Sequence, residues 1–250
     1  MKLMLMAGIA GLLVLTCTPS SAATDPVVAA LGDKSRPPAD VARDRLRHPA
    51  ELIRFAGIKR GDRVADYFPG GGYYDRILSD VVGPKGRVYG FIPAEMVRNC
   101  DPSEFAGARA IATERRGNFS ILEQPLTAFR VPQQLDVVWS SQNFHDLYDK
   151  FMDRADVGQA VRAVFRALRP GGTFIVIDHV AEAGSGIRDT ETLHRIDPAA
   201  IRRQAEAIGF VYEGQSDVLR NPADDHRLRV FDPRIRGRTD QVALKFRKPA

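Results

Sequence analysis

Apolar residues follow two patterns along the chain: short continuous runs, and longer stretches in which they recur at helical spacing. The runs predict five buried strands, at residues 63–67, 86–92, 108–114, 135–141 and 173–178. The spaced stretches predict helices at 73–82, 93–105, 151–168 and 198–208, the last with Asp197 as its N-cap. Two further strands are predicted at 210–218 and 241–246. This alternation predicts an α/β fold with a mainly parallel sheet and helices on both faces.

The first 23 residues differ from the rest of the chain. Lys2 precedes an apolar run from Leu3 to Leu15, and small residues follow up to Ala23. A positive start, a short apolar core and a small-residue end predict a secretory signal peptide cleaved near Ala22 or Ala23. The alternative is a lipoprotein signal with Cys17 as the acylated residue, although the residue before it fits that signal less well. We therefore expect a periplasmic or secreted protein.

Two segments make up the remaining chain. Residues 24–37 are small and contain prolines, so they predict a flexible arm. Residues 38–56 carry apolar positions at helical spacing and predict one or two helices that cap the core. No repeat or linker interrupts the pattern after that point, so residues 38–250 predict a single domain.

Composition narrows the functional classes. Hydrophobic residues make up 44% of the chain and charged residues 27%, values that fit a folded globular protein. The net charge is +5 with acidic residues scattered among the basic ones, so we predict no nucleic-acid partner. Two cysteines exclude a disulfide-stapled scaffold and a cysteine-based zinc cluster. No second apolar stretch is long enough to span a bilayer, so we predict no stable membrane insertion after signal cleavage.

A glycine-rich turn joins the first predicted strand to the first predicted helix of the sheet. Asp66 lies at the end of the strand, and Gly70, Gly71 and Gly72 follow it. In open α/β sheets, ligands bind beyond the carboxyl ends of strands, where glycines let the backbone approach a ligand closely. The turn therefore predicts a ligand site in which Asp66 accepts hydrogen bonds from a ligand amine or from the loop amides. The alternative is a tight turn that binds nothing.

Four sequence blocks give the chain a resemblance to a known family. They are DYFPGGGY at 66–73, DVVW with NFHDLY within 136–148, LRPGGT with IDH within 168–179, and RDTETLHR at 188–195. With these blocks the chain resembles the class I S-adenosylmethionine-dependent methyltransferases, and in particular an exported bacterial branch, over about residues 45–248. The resemblance implies a Rossmann-like seven-stranded sheet, the class I methyltransferase fold, and S-adenosyl-L-methionine as cofactor.

The resemblance also assigns binding residues by position. Asp66, Gly70 and Gly72 are expected to line the methionine side of the cofactor. The position that usually carries a ribose-binding acid is apolar in this chain, and Glu95 is the nearest carboxylate. Asn118 stands where an adenine-binding residue is expected, and its side-chain amide can bond the adenine amine.

Polar residues follow the fourth and fifth predicted strands, next to the expected methyl donor. His145 and Asp146 come after the fourth strand, and His179 ends the fifth. A histidine can take a proton from a hydroxyl or amine near neutral pH, and a carboxylate can fix its tautomer. We therefore predict these three as catalytic residues; the alternative is that they anchor loops. Asn143 is expected to bond the cofactor or the substrate, or else to form a turn.

The segment 184–197 is polar and begins with a Gly-Ser-Gly hinge, a pattern typical of a lid. The alternative is a loop ordered by arginine–carboxylate pairs. His194 lies within the segment, but together with Asp178 and His179 it lacks the tight spacing of metal ligands, so the sequence predicts no metal site.

The predicted function is methyl transfer to an unidentified small molecule by an exported enzyme. The alternative is a non-catalytic exported ligand-binding protein on the same fold. Two observations keep the alternative open: the ribose-binding acid is missing, and a cofactor made in the cytosol would have to reach an exported protein.

Overall fold

A computed structural model describes residues 24–114 and 117–250, so the predicted signal peptide and its cleavage sites lie outside the described residues. The strands are β1 Arg63–Tyr67, β2 Arg87–Pro93, β3 Phe119–Gln124, β4 Leu135–Ser141, β5 Leu168–His179, β6 Val211–Ser216 and β7 Gln241–Arg247. They form one seven-stranded sheet in the order β3-β2-β1-β4-β5-β7-β6. Strands β1 to β5 are parallel, and β7 runs antiparallel to β5 and β6. The predicted mainly parallel α/β fold is confirmed.

Helices cover both faces of this sheet. They are α1 Pro26–Leu31, α2 Pro38–Val41, α3 Asp44–Arg47, α4 Pro49–Ala56, α5 Tyr73–Val82, α6 Ala94–Asn99, α7 Ala106–Thr113, α8 Val157–Ala167, α9 Thr190–Leu193 and α10 Pro198–Ile208. One apolar cluster packs α4, α5 and α7 against the sheet, and a second packs α6, α8 and α10. No helix in the described ranges is both long and apolar enough to cross a bilayer.

The segment 24–37, predicted as a flexible arm, instead packs on the domain. It contains α1, which is capped by Asp25 through a hydrogen bond from the Val27 N–H at 2.8 Å. Val27 and Ala30 are buried in the cluster with α5. The prolines start α1 and α2, because the fixed φ of proline suits the first helical position.

The third strand was predicted too early in the chain. Residues 108–113 belong to α7, and β3 begins only at Phe119. The segment is rich in alanine, the strongest helix former, and this preference outweighs the short apolar run. The error matters for the site. A strand at 108–114 would put residue 118 beyond its carboxyl end, whereas residue 118 directly precedes β3.

Two predicted helices are shorter than their patterns. A helix predicted at 93–105 ends at Asn99, and a 3₁₀ turn follows from Pro102 to Phe105, because proline cannot continue a helix. The helix predicted at 151–168 begins at Val157, where the side chain of Asp156 accepts a hydrogen bond from the Gln159 N–H at 3.0 Å.

Candidate functional site

Two adjoining cavities open at the edge of the sheet where β1, β4 and β5 end. The histidine cavity, lined by His145, His179 and His194, has a volume of about 550 Å³. The arginine cavity, lined by Arg43 and Arg47, has a volume of about 230 Å³. A depression of about 670 Å³ lies at the opposite edge, where β1 and β2 begin. Because open α/β sheets bind ligands at the carboxyl ends of their strands, the two adjoining cavities are the candidate site.

Residues in an unusual backbone conformation shape the walls of the cavities. Phe68 (φ 72°), Gln142 (φ 65°) and His194 (φ 53°) all lie in the left-handed region. Non-glycine residues held there cost of the order of 1 kcal/mol or more each and concentrate at ligand sites. Phe68 follows directly on β1 and Gln142 directly on β4, and together with Gly70 and Asn143 they line both cavities.

The glycine-rich turn divides into two functional parts. Gly70 and Gly71 line the arginine cavity, and a Cβ added at Gly71 would meet no atom within 4 Å. Gly72 faces α7 instead, because a Cβ there would lie 2.5 Å from the Cδ1 atom of Ile111 and 3.2 Å from the backbone nitrogen of Ala108. The structure therefore places Gly72 at a close helix contact and not at the wall of a cavity.

The arginine cavity carries opposite charges. Asp66 lines it together with Arg43 and Arg47, and the Arg47 guanidinium donates to Oε1 of Gln142 at 2.9 Å. Burial raises the pKa of Asp66 to about 7, and the charge of Arg47 opposes this rise. Asp66 therefore changes its charge near neutral pH.

A second buried carboxyl group lies on α5, close enough to Asp66 for the two charges to interact. Asp75 is fully buried, and neither of its carboxyl oxygens has a hydrogen-bond partner among the described residues. Burial raises the pKa of Asp75 well above its usual value, and the negative charge of Asp66 adds to this rise. Burial and the neighbouring carboxylate therefore both favour the neutral form of Asp75.

His145 is held in place by the carboxylate of Asp178 at the end of β5. The Nδ1 atom of His145 lies 2.8 Å from Oδ1 of Asp178, and the His145 backbone N–H donates to Oδ2 at 2.8 Å. Burial lowers the pKa of His145, but the charges of Asp178 and Asp146 outweigh burial and hold this pKa well above its usual value. Asp178 therefore orients the ring from its Nδ1 side, and the role of His145 as a general base stays a prediction.

The Nε2 atom of His145 faces a group of polar side chains. It lies 3.1 Å from Oδ1 of Asp146 and 3.3 Å from Nδ1 of His194. That His194 nitrogen is also 3.6 Å from Oδ1 of Asp146 and 3.9 Å from Oδ2 of Asp149. Burial raises the pKa of Asp146, but the charge of His145 lowers it to about 2. Burial and the charge of Asp146 raise the pKa of Asp149 to about 6.

His179 differs from His145 in its environment. Its Nδ1 atom lies 2.7 Å from the hydroxyl oxygen of Thr239, which leaves Nε2 as the ring nitrogen able to face a ligand in the histidine cavity. Burial lowers the pKa of His179 to about 3, so this ring is neutral at physiological pH. The pKa values of the two histidines predicted together as catalytic residues are therefore shifted in opposite directions.

Most of the predicted site residues meet at the two cavities. The histidine cavity is lined by His145, Asp146, His179 and Asn143, and the arginine cavity by Asp66, Gly70, Gly71 and Asn143.

Glu95 and Asn118 line neither cavity. The Glu95 carboxylate accepts a hydrogen bond from the Leu126 N–H at 3.0 Å. The Asn118 amide donates to the carbonyl oxygens of Ser79 and Gly83 at 2.7 and 3.0 Å. Asn118 precedes β3, so it lies at the edge of the sheet opposite to the site, and its predicted contact with adenine is wrong for that reason.

Sequence reasoning missed several residues of the site. Asp178 was noted at the end of a strand but not assigned a role, and Asp149 was not singled out. Arg47 and Glu104, which line the arginine and histidine cavities, come from segments without a local motif. The signal that could have found them is that Asp178 is the second-last residue of β5 and that Asp149 lies in the segment between β4 and α8, at the edge where ligands bind in such sheets.

The segment 184–197 is a packed part of the domain and brings His194 to the histidine cavity. Arg195 is fully buried, and its guanidinium donates to both carboxylate oxygens of Asp224 at 3.0 and 2.9 Å. Arg188 pairs with Asp189 and Glu182 at 2.9 Å. Arginine–carboxylate pairs therefore order this segment, as the alternative interpretation of the sequence expected.

The protein-family comparison supports the interpretation of the fold. Residues 70–176 match the family described as a methyltransferase domain. The matched region runs from the glycine-rich turn to β5 and includes the residues after β4 that line the histidine cavity. A search of curated proteins found no match to the chain.

Solved structures with the same fold cover almost the whole chain. A SAM-dependent methyltransferase from Aquifex aeolicus is 17% identical, with a TM-score of 0.59, and the match covers 89% of this chain and 98% of that one. An S-adenosylmethionine-dependent methyltransferase from Mesorhizobium loti is 18% identical, with a TM-score of 0.57 and coverage of 82% and 100%. An arsenic (III) S-adenosylmethionine methyltransferase from Chlamydomonas reinhardtii is also 18% identical, with a TM-score of 0.53 and coverage of 90% and 73%. At these identities the similarity shows the fold alone: the chain has the Rossmann-like fold of the class I methyltransferases, and residues 70–176 of it match a methyltransferase domain.

Proposed function

We propose that the protein transfers a methyl group from S-adenosyl-L-methionine to a small molecule bound in the histidine cavity. The observation that carries this proposal is the pair of adjoining cavities at the carboxyl edge of the sheet, joined at Phe68, Gly70, Gln142 and Asn143. One cavity has the opposite charges that an amino-acid group needs, and the other has room for a nucleoside and an acceptor.

The arginine cavity fits the methionine end of the cofactor. This end carries an ammonium and a carboxylate group, and the cavity offers the Asp66 carboxylate together with Arg43 and Arg47. The open space beside Gly71 lets the ligand approach the backbone of the turn. Arg47 already donates to Gln142, so its guanidinium is oriented toward the wall shared by the two cavities.

The histidine cavity has two sides with different chemistry. Met96, Phe105 and Glu104 line the side near β2, where an apolar surface and a carboxylate suit a nucleoside. Because Glu95 is engaged by Leu126, we propose that Glu104 takes the place of the missing ribose-binding acid. Asn143 lies where the cavities meet, and its buried Oδ1 atom has no hydrogen-bond partner among the described residues.

The acceptor is placed on the opposite side of the histidine cavity, beside His179. When bound, the cofactor supplies a methyl group on a sulfonium, which an acceptor atom attacks in line. The neutral ring of His179 offers Nε2 for a hydrogen bond that positions the acceptor.

Calorimetry with S-adenosylmethionine and with its demethylated product tests the proposal. We expect saturable binding of one molecule of either ligand per chain, with mutual competition. A protein that binds neither ligand would contradict the proposal. The alternative considered from the sequence, a non-catalytic binding protein, has no structural observation in its favour.

Cofactor affinity is expected to depend on pH through Asp66. The ammonium group of the ligand binds the ionised carboxylate, which is the main form only above a pKa of about 7. Below that pH the carboxyl group is neutral, so affinity should fall by about tenfold for each further pH unit, which corresponds to loss of the ionised form. Calorimetry between pH 5 and pH 8, about two units below and one above that pKa, measures the slope of affinity against pH. Asp66→Asn is the control: it should bind more weakly and remove the slope, and a slope that persists in this variant would exclude Asp66 as its source.

We also propose that the protein is exported, as its first 23 residues predict. Lys2, the apolar run and the small residues that follow support cleavage near Ala22 or Ala23. Mass spectrometry of the protein purified from cell envelopes or medium should find a chain that starts at Ala23 or Thr24. An intact Met1 in the mature pool would contradict export, and a lipid-modified N-terminus at Cys17 would identify a lipoprotein instead.

A further inference from the structure

We propose that His145, Asp146 and His194 bind one divalent transition-metal ion, such as Zn²⁺, at the wall of the histidine cavity, next to the buried carboxylate of Asp149. These residues come from the turn after β4 and from the end of α9, which lie far apart in the chain and meet at the cavity.

The distances within this group match those between the ligands of one ion. The Nε2 atom of His145, Oδ1 of Asp146 and Nδ1 of His194 are separated by 3.1, 3.3 and 3.6 Å. Four ligands placed tetrahedrally at about 2.0–2.1 Å from a zinc ion would be about 3.3–3.4 Å apart. An ion therefore fits between these three atoms without rearrangement of the backbone.

The orientation of His145 is also that of a metal ligand. The Asp178 carboxylate accepts one hydrogen bond from Nδ1 of the His145 ring and another from the His145 backbone N–H, both at 2.8 Å. This pair fixes the ring so that Nε2 faces the other groups. Histidine ligands of metal ions are typically held in this way, by a carboxylate on the second ring nitrogen.

Asp149 supplies an independent observation. Its residue is 2% exposed, and Oδ1 has no hydrogen-bond partner among the described residues, while Oδ2 lies 3.9 Å from Nδ1 of His194. Buried carboxylate oxygens normally have partners, because an unpaired one costs free energy. An ion held by the other three side chains would place a positive charge next to this buried carboxylate.

The donor set favours a particular class of ion. Two imidazole nitrogens with carboxylate oxygens suit Zn²⁺ and neighbouring first-row ions, whereas Mg²⁺ and Ca²⁺ prefer oxygen ligands alone. The sequence offered no such signal, because His145 and Asp146 are adjacent and His194 follows 49 residues later.

One contact must change when the ion binds. The Arg229 guanidinium lies 3.0 Å from Nε2 of His194. Coordination through Nδ1 leaves the ring proton on Nε2, so Arg229 must turn away from it. Arg229 is exposed, and its guanidinium already lies 5.1 Å from the centre of the Phe231 ring. The guanidinium can therefore move into solvent or stay over that ring. Arg229→Gln should therefore raise the affinity for the ion or leave it unchanged.

The ion would define a class of acceptor, a consequence that rests on the proposed methyl transfer. An acceptor in the histidine cavity could bind the ion through a hydroxyl oxygen or another donor atom, and a bound donor atom loses its proton more readily. Small molecules with a group able to bind a divalent cation are thus the acceptors we propose.

Metal titration of the purified full chain tests the site. After treatment with a chelator, the protein is titrated with Zn²⁺ in a calorimeter and with Co²⁺ while visible absorption is recorded. We expect one ion per chain and a Co²⁺ spectrum typical of low coordination number with nitrogen ligands. Wild-type protein that binds no ion would overturn the proposal.

Variants locate the ion. His194→Gln should abolish binding, and Asp178→Asn should weaken it by roughly 10–100-fold, as expected for a residue that orients a ligand. His226→Gln is the matched control, because His226 also pairs with a carboxylate, that of Asp240 at 2.9 Å, but lines neither cavity. Binding that survives His194→Gln, or that is lost in His226→Gln, would place the ion elsewhere.

Two further measurements keep the test decisive. If His194→Gln does not fold, Asp149→Asn replaces it, since Oδ1 of Asp149 has no hydrogen bond to lose; unchanged affinity in a folded Asp149→Asn protein would remove that residue from the site. Gly71→Val should bind the ion normally even though it loses the cofactor. Failure of the metal site and failure of the proposed cofactor site are thereby measured separately.

Discussion

Gly71→Val is expected to abolish cofactor binding while leaving the melting temperature almost unchanged. Gly71 has an ordinary backbone conformation, and a Cβ added to it meets nothing within 4 Å, so the folded protein tolerates the side chain. That side chain would project into open space where Gly71 lines the arginine cavity, whose volume is only about 230 Å³. We expect the affinity for S-adenosylmethionine to fall more than about 100-fold, or about 2.8 kcal/mol.

Gly117→Val is the matched control for this prediction. Gly117 also has an ordinary backbone conformation and open space beside it, but it lies at the opposite edge of the sheet, next to Asn118. Calorimetry and thermal unfolding of both variants separate a filled ligand site from a general effect of valine. Equal cofactor affinity in Gly71→Val and wild type would show that the turn does not contact the cofactor.

The parts of the fold that the sequence predicts well are those set by local patterns. The predicted bounds of β1, α5, β4 and α10 agree with the structure. The two strands are short apolar runs, and the two helices have apolar positions at helical spacing with ends marked by glycine or a capping residue. The third strand could not be placed in this way. Residues 108–114 form an apolar run that suits either a strand or a helix, and only the pairing of β3 with β2 decides between them.

The site also combines residues that are neighbours in the chain with residues that are far apart in it. Asp66 and the glycines that follow it are neighbours in the chain, and a single motif identifies them. The network around His145 joins Asp178, 33 residues away, and His194, 49 residues away. Nothing in the spacing of these residues reveals that they meet, because their approach depends on the order of β4 and β5 in the sheet and on the packing of the segment that follows.

A buried ion pair holds the segment 184–197 in position. Arg195 donates to Asp224, to the carbonyl oxygen of Val180 at 3.0 Å and to that of Leu228 at 2.9 Å. Asp224 in turn accepts hydrogen bonds from the backbone N–H groups of His226 at 3.1 Å and of Asp240 at 2.7 Å. One guanidinium therefore ties the residue after β5 to the long loop before β7, and it sits next to His194.

Arg195→Met is expected to destabilise the protein by about 3–5 kcal/mol, the range for breaking a buried ion pair by removing one partner. Methionine fills most of the space but leaves the Asp224 carboxylate buried without its countercharge. Arg195→Met combined with Asp224→Asn removes both charges, so the double variant should lose less free energy of unfolding than the sum of the single variants. Urea unfolding of the four proteins measures this difference.

The same variants report on the site, because His194 directly precedes Arg195 in the chain. If the ion pair positions His194, Arg195→Met should weaken Zn²⁺ binding even under conditions where the protein remains folded. The double variant should recover part of that affinity together with part of the stability, since both depend on the same anchoring of the segment. A single variant that loses less than about 1 kcal/mol would show that the buried pair adds no more than an exposed one. Unchanged Zn²⁺ affinity in a destabilised Arg195→Met protein would mean that contacts other than the ion pair, such as those with His145 and Asp146, hold His194 in place.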